Sequence, residues 1–120
     1  MRILIADGDP ERHEFFKRVY GSLDDVLIQA YSFEEAELEI LSTPYKFDLM
    51  YLEYSLPTNR LNKDGLSLAS LITSELKPAR CINMKIYCHS MDLEGRHKMV
   101  SLLRKNGFNV IDSPFLTMFS

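Results

Sequence analysis

Acidic residues stand directly after two apolar segments of this 120-residue chain. Asp7 and Asp9 follow residues 3–6, and Glu53 follows residues 49–52. Buried strands of parallel sheets read as continuous apolar runs, and ligands bind in the crevice beyond their carboxyl ends. Carboxylates at such a place can hold a cation or move protons. These three acids are therefore the first candidates for a functional site.

A second candidate pair, His89 and Ser90, ends the apolar segment at residues 84–88. A histidine beside acids could act as a general acid or base, because a histidine pKa ordinarily lies near neutrality. Adjacent residues of a strand point to opposite faces, however, so the two side chains need not share one pocket. This geometric objection favours a histidine that only forms a hydrogen bond at the sheet edge.

Strand-like and helix-like segments alternate five times, which is typical of a parallel sheet with right-handed crossovers and helices on both faces. The predicted strands are residues 3–6, 26–31, 49–52, 84–88 and 108–111. The predicted helices start at residues that favour helix N-termini, namely Asp9, Ser32, Asp64 and Asp92. We expect a flavodoxin-like α/β fold with strand order 2-1-3-4-5, which would bring Asp7, Asp9 and Glu53 together.

The last predicted helix of such a fold is absent or vestigial, because only residues 115–120 follow Pro114 and they are too few for a stable helix. The sheet face beside it would then expose apolar side chains. Such a patch favours binding to a protein partner or self-association, for instance as a dimer. The alternative is that the apolar tail folds back and covers the gap.

Length and composition restrict the class of protein. The chain is long enough for one domain, residues 1–120, with 46% hydrophobic and 26% charged residues, as in ordinary globular proteins. A net charge of −3 gives no broad basic footprint for nucleic acid or an anionic membrane. No apolar run approaches the ~20 residues of a membrane span, and Cys81 and Cys88 are too few for a disulfide framework or a zinc site. We expect a cytoplasmic protein without a membrane or nucleic-acid partner.

With the strand ends placed, the chain resembles a response-regulator receiver domain of two-component signalling over nearly its whole length. Residues 3–10 match the first strand with its acidic end, and residues 48–57 match the phosphoacceptor strand with its trailing proline. Residues 64–65 match the helix start that follows, Ser90 the hydroxyl switch position and residues 113–115 the ending with an aromatic residue. A closer resemblance is to small receiver-like proteins that process cyclic phosphates. They share a motif before the first helix, a histidine-serine strand end and a proline-phenylalanine ending, here residues 9–12, His89-Ser90, Gly107 and Pro114-Phe115.

Three departures from the receiver pattern alter the expected chemistry. The resemblance implies an aspartate that accepts a phosphoryl group, a second acid that helps hold a divalent cation and a lysine that contacts the phosphate. The chain has Glu53, Gly8 and Ser113 at these positions. The extra methylene of a glutamate moves its carboxylate by ~1.5 Å, and a misplacement of ~1 Å can slow a positioned reaction by about 100-fold. We predict a degenerate receiver, or pseudo-receiver, that acts in signalling or a phosphorelay by protein contact, without aspartyl phosphorylation or a cofactor.

Two alternatives stay open. The first is an enzyme that processes cyclic phosphates or phosphate esters with Mg²⁺, in which Asp7, Asp9 and Glu53 are metal ligands and His89 and Ser90 are catalytic. The second concerns Glu53 alone, which either mimics a phosphorylated aspartate by reaching towards Ser90 or only bonds the neighbouring loop.

Two further assignments follow from local patterns. Asp9 is favoured as a helix N-cap over a metal ligand, because Asp-Pro-Glu is by itself a helix-start signal. The cationic side chains of the fourth helix are expected to form a solvated face: Arg96, His97, Lys98, Arg104 and Lys105.

Overall fold

The computed structural model describes residues 1–115, which form five strands and four α-helices that alternate along the chain. The strands are β1 (Arg2–Ala6), β2 (Val26–Ala30), β3 (Leu49–Leu52), β4 (Lys85–Cys88) and β5 (Val110–Asp112). The helices are α1 (Pro10–Val19), α2 (Phe33–Ser42), α3 (Gly65–Glu75) and α4 (Leu93–Lys105). A single 3-10 turn, Pro78–Arg80, precedes β4. Within residues 1–115 no helix is both long and apolar enough to cross a membrane.

The strands form one sheet in the order β2-β1-β3-β4-β5, and every neighbouring pair is parallel. The predicted flavodoxin-like α/β topology is therefore confirmed. Ala6 pairs with Leu52, and Leu52 pairs with Cys88. The residues that follow these three strand ends must lie side by side at one edge of the sheet.

Each helix begins where a side chain caps its free N–H groups, as the sequence predicts. Asp9 accepts from the amide of Glu11, and Ser32 accepts from that of Glu35. Asp64 and Asp92 cap α3 and α4 in the same way. Because the first N–H groups of a helix have no intrahelical partner, these caps fix where each helix starts after its strand.

The two faces of the sheet are covered unequally. The larger core lies between the sheet and α2, α3 and α4. On the opposite face, α1 packs Phe16 against Ile3, Ile5 and Tyr51, while Tyr87 is only partly buried. The sheet thus has helices on both faces. The prediction of a vestigial fifth helix and a covering tail concerns residues 115–120. Of these, Phe115 is described and packs against the smaller core, beside Phe16 and His89, whereas residues 116–120 lie outside the described residues.

Element boundaries differ from the sequence-based expectation by one or two residues. β2 ends at Ala30 instead of at residue 31, and β4 begins at Lys85 instead of at residue 84. β5 begins at Val110 instead of at residue 108, although the side chain of Phe108 is buried in the larger core as well. None of these shifts changes the alternation of strands and helices along the chain.

Gly65 marks the closest approach between α3 and the end of β3. A Cβ atom at this position would lie 2.3 Å from the carbonyl oxygen of Glu53. We expect Gly65→Ala to lower the free energy of unfolding by about 1–3 kcal/mol, since backbone has to move to relieve the overlap. Urea denaturation measures this loss. The exposed Ser70→Ala change on the same helix serves as the control, with an expected effect within about 0.5 kcal/mol; equal effects of both variants would contradict the close-packing argument.

Candidate functional site

Asp7 is the centre of a hydrogen-bonded cluster at the carboxyl edge of the sheet. Its side chain is fully buried. Oδ1 accepts from the amide of Asp9 at 2.8 Å and from Nη2 of Arg12 at 2.8 Å. Oδ2 accepts from Nε of Arg12 at 2.6 Å and from Nε2 of His89 at 2.7 Å. A carboxylate has about four lone-pair sites, so these four bonds use all of them.

Arg12 lies on the first turn of α1 and brings one guanidinium to three carboxylates. Besides its two bonds to Asp7, it places Nη1 3.2 Å from Oδ2 of Asp9 and Nη2 3.6 Å from Oε2 of Glu53. The predicted convergence of these acids is thus arranged around a cation that belongs to the chain. The planar fork of an arginine suits two-point binding of a carboxylate.

The electrostatics of the cluster keep Asp7 ionised. Burial alone would raise the pKa of Asp7, but the hydrogen bonds and charge supplied by His89 and Arg12 outweigh it and hold that pKa far below its usual value. Hydrogen bonding to Asp7 in turn raises the pKa of Arg12. The Asp7–Arg12 pair therefore remains charged throughout the neutral range.

Glu53 is buried, and its carboxylate is bound mainly to its own loop. Oε1 accepts from the amides of Tyr54 at 2.9 Å and Ser55 at 3.3 Å. Oε2 faces Arg12 and lies 3.9 Å from Nε2 of His89. This arrangement corresponds to the pocket carboxylate that bonds the neighbouring loop, and not to a side chain that reaches towards Ser90.

His89 and Ser90 are both buried but have different surroundings, as the alternation of a strand indicates. His89 points at Asp7, whereas the hydroxyl of Ser90 accepts from the amide of Asp92 at 3.2 Å, at the start of α4. The structure thus brings Asp7, Asp9, Glu53 and His89 together and places Ser90 at the base of α4.

The expectation of a solvated cationic face on α4 is wrong for one residue. Arg96 is buried, with Nε 2.6 Å from Oδ1 of Asp112 and Nη1 2.8 Å from the carbonyl oxygen of Ser90. Its helical spacing places it beside the sheet, where an acid at the end of β5 compensates its charge. His97, Lys98, Arg104 and Lys105 are exposed, as predicted.

The positions of Gly8 and Ser113 contain no acid and no lysine, and the surroundings of Gly8 show one physical reason. A Cβ atom on Gly8 would lie 2.5 Å from Cδ of Pro57, so the proline ring fills the space of a side chain. Ser113 donates its amide to the carbonyl oxygen of Cys88 and thereby extends the pairing of β4 with β5. An acid cannot be introduced at position 8 without displacing Pro57.

The donor set does not fit Mg²⁺ as it is arranged. Asp7, Glu53 and His89 offer ligand atoms within 4.8 Å of one another. Both oxygens of Asp7 are nevertheless fully used, and Arg12 lies among the acids. Mg²⁺ also prefers an octahedron of oxygen ligands, whereas His89 supplies an imidazole nitrogen.

Sequence reasoning overlooked Arg12 as a member of the site. The feature of the sequence that could have identified it is its position three residues after Asp9, within the first turn of α1. Residues at this spacing share one face of a helix, so the N-cap carboxylate and the guanidinium face the same strand ends.

The fold is that of response-regulator receiver domains. The response regulator TrrA from Thermotoga maritima, solved with Mg²⁺ and BeF, has a TM-score of 0.67 at 23% identity, covering 95% of this chain and 87% of that one. The response regulator domain of Thermotoga maritima CheB has a TM-score of 0.66 at 15% identity, covering 100% and 82%. CheY in a complex with CheX from Borrelia burgdorferi has a TM-score of 0.65 at 19% identity, covering 95% and 78%. No family model and no curated protein matches the chain. The finer resemblance to cyclic-phosphate-processing proteins stays a prediction.

The low pKa of Asp7 predicts how acid destabilises the protein. A carboxyl group whose pKa is lower in the folded state stabilises the fold above its unfolded pKa of ~3.9, and this contribution is lost as the pH falls further. We expect the free energy of unfolding to drop below pH ~4, with about 2–3 kcal/mol of the loss due to Asp7. Denaturation from pH 7 to pH 2 should show a smaller drop in Asp7→Asn than in the wild type. The exposed Asp24→Asn change should leave the drop unaltered; a wild-type slope in Asp7→Asn would refute the assignment.

Proposed function

We propose that this chain is a pseudo-receiver, a signalling module that acts through protein contact and is not switched by aspartyl phosphorylation. The observation that carries the proposal is the guanidinium of Arg12, which binds Asp7 at two points and faces Asp9 and Glu53. The receiver fold supports the signalling class, and this side chain supports the loss of phosphoryl chemistry.

The energetic argument compares Arg12 with a divalent cation. The related structure of TrrA contains Mg²⁺ and BeF. A cation at the equivalent acids of this chain would have to displace the guanidinium from Asp7. A hydrogen bond to a charged group is worth about 1.5–3 kcal/mol, and Arg12 makes two to Asp7, whereas a millimolar dissociation constant corresponds to only about 4 kcal/mol of binding. The displacement would therefore cancel most of the binding free energy of a millimolar site.

The surroundings of Glu53 oppose phosphoryl transfer for a second reason. Oε1 is held by the amides of Tyr54 and Ser55, and Oε2 faces the guanidinium of Arg12. Position 113 has a serine, which supplies no charge to offset a phosphoryl group. A carboxylate fixed in this way is suited to maintaining one conformation of the loop after β3.

The enzyme alternative is less consistent with the geometry. A general acid or base must come within about 3 Å of the proton that it transfers, or reach it through one water. Asp7 and His89 are both 0% exposed, and Nε2 of His89 is bonded to Asp7. A substrate would have to open the cluster before it could reach the imidazole.

Chemical phosphorylation tests the proposal directly. We expect incubation with acetyl phosphate and Mg²⁺ to add no phosphoryl group to the wild type, as judged by intact mass. Glu53→Asp should also remain unmodified, because Arg12 and Gly8 are unchanged in that variant. A receiver domain with a complete acidic site, treated in parallel, shows that the donor is active. A phosphoryl adduct on wild-type Glu53 would end the proposal.

Paramagnetic Mn²⁺ tests the part played by Arg12. We expect millimolar Mn²⁺ to leave the amide signals of residues 7, 8, 53 and 54 sharp in the wild type and to broaden them in Arg12→Ala, in which Asp7 has free lone pairs. Lys17→Ala, which removes an exposed cation of the same helix, should behave as the wild type. Arg12→Lys is a second variant that keeps the charge if Arg12→Ala is poorly folded, and it should give intermediate broadening. Broadening of these signals in the wild type would show that the guanidinium does not exclude the metal.

A further inference from the structure

The segment between β3 and α3 is fixed on the surface of α2. The carboxylate of Glu34 accepts from Oγ1 of Thr58 at 2.7 Å and from the amide of Asn59 at 3.0 Å. Arg60 places Nη2 2.8 Å from Oε1 of Glu37, and its guanidinium lies 4.9 Å from the ring centre of Phe33. Helix and loop therefore form one continuous surface.

This surface presents three leucines to solvent. Leu38 is 64% exposed, Leu41 is 49% exposed and Leu61 is 88% exposed. Leu38 and Leu41 are three residues apart on α2 and so lie on one face of the helix. Leu61 directly follows the anchored Arg60, and Asn62 adopts a left-handed conformation, φ 61°, that turns the chain after it. Single exposed leucines are ordinary, but a group of them on a fixed frame is typical of a binding surface.

The same surface is acidic. Helix α2 contains four glutamates and no basic residue: Glu34, Glu35, Glu37 and Glu39. The cations on the adjoining loop are Arg60 and Lys63, both of which approach Phe33. Within α2 and loop residues 58–63, four negative charges and two positive charges leave a net charge of −2. A partner must therefore combine apolar side chains with positive charge.

We propose that the α2–loop surface, formed by Leu38, Leu41, Leu61 and the glutamates of α2, binds a basic amphipathic helix of a partner protein. The inference rests on the proposed function, since it names the surface through which the protein contact is made. An apolar stripe on the partner helix covers the leucines, as in helix-in-groove recognition. Lysines or arginines beside the stripe face the glutamates, which gives electrostatic complementarity and a faster encounter.

A designed peptide serves as the probe. It has about 18 residues, or five helical turns, with leucine at helical spacing and lysine elsewhere. We expect saturable changes in the amide signals of residues 33–42 and 58–63 of the ¹⁵N-labelled protein. A scrambled peptide of the same composition and a leucine–glutamate peptide should bind at least tenfold more weakly.

Matched variants locate the binding surface. Leu38→Ser and Leu61→Ser should each weaken binding at least tenfold, and Glu35→Gln with Glu39→Gln should weaken it and reduce its salt dependence. Leu23→Ser, which alters a leucine that is 104% exposed elsewhere on the protein, should leave the affinity unchanged. Leu23, Leu38, Leu61 and Glu35 are exposed and Glu39 is partly buried, and none of them lies in the core, so the variants should keep the circular dichroism of the wild type.

Three results of the peptide experiments would overturn the inference. They are signal changes confined to another surface, equal binding of the acidic peptide, and equal effects of Leu23→Ser and Leu38→Ser. A concentration-dependent dimer that Leu38→Ser abolishes would identify a second copy of the chain as the occupant and would also refute it. None of these outcomes depends on whether Glu53 can be phosphorylated, so the inference and the proposed function can fail separately.

Discussion

The buried charge of Asp7 is the constraint on which the carboxyl edge of the sheet depends. An isolated ionised carboxylate in a protein interior is strongly unfavourable, and such groups persist only when they are paired and hydrogen-bonded. Here Arg12, His89 and the amide of Asp9 supply the donors. The donors come from the loop after β1, from the first turn of α1 and from the end of β4. Compensation of one charge therefore joins three parts of the chain.

The departures from the receiver pattern form one structural arrangement. Pro57 fills the space beside Gly8 that a side chain would need. The longer side chain of Glu53 lets one carboxylate oxygen bind the loop while the other faces Arg12 at 3.6 Å. An aspartate there, shorter by ~1.5 Å, could not hold both positions without a shift of the backbone. The residues at positions 8 and 53 are thus each compatible with the side chains that surround them.

The sequence was sufficient to predict the sheet order, the helix caps and the convergence of the acids, because periodicity, N-cap residues and crossover rules are local or topological. It was not sufficient to identify the partners of those acids. Arg96 is predicted to be a solvated cation and Arg12 is assigned no role in the site; only the packing of α1 and α4 on the sheet shows that they compensate Asp7 and Asp112. Long side chains can point in several directions from the same helical position, so composition and spacing do not decide which charge they meet.

Two arginines support the proposal that this fold maintains a single conformation. A conformational switch needs two arrangements that differ by only a few kcal/mol. Arg12 joins α1 to the ends of β1 and β3, and Arg96 joins α4 to Asp112 and to the carbonyl of Ser90. Each hydrogen bond to a charged group in these pairs is worth about 1.5–3 kcal/mol, which is comparable to the gap that a switch can tolerate. The exposed Arg60 contributes less, but it orders the loop over α2 and so gives that surface a constant shape. With the ends of β1, β3 and β5 held in this way by internal cations, the proposed pseudo-receiver would present one surface to a partner protein.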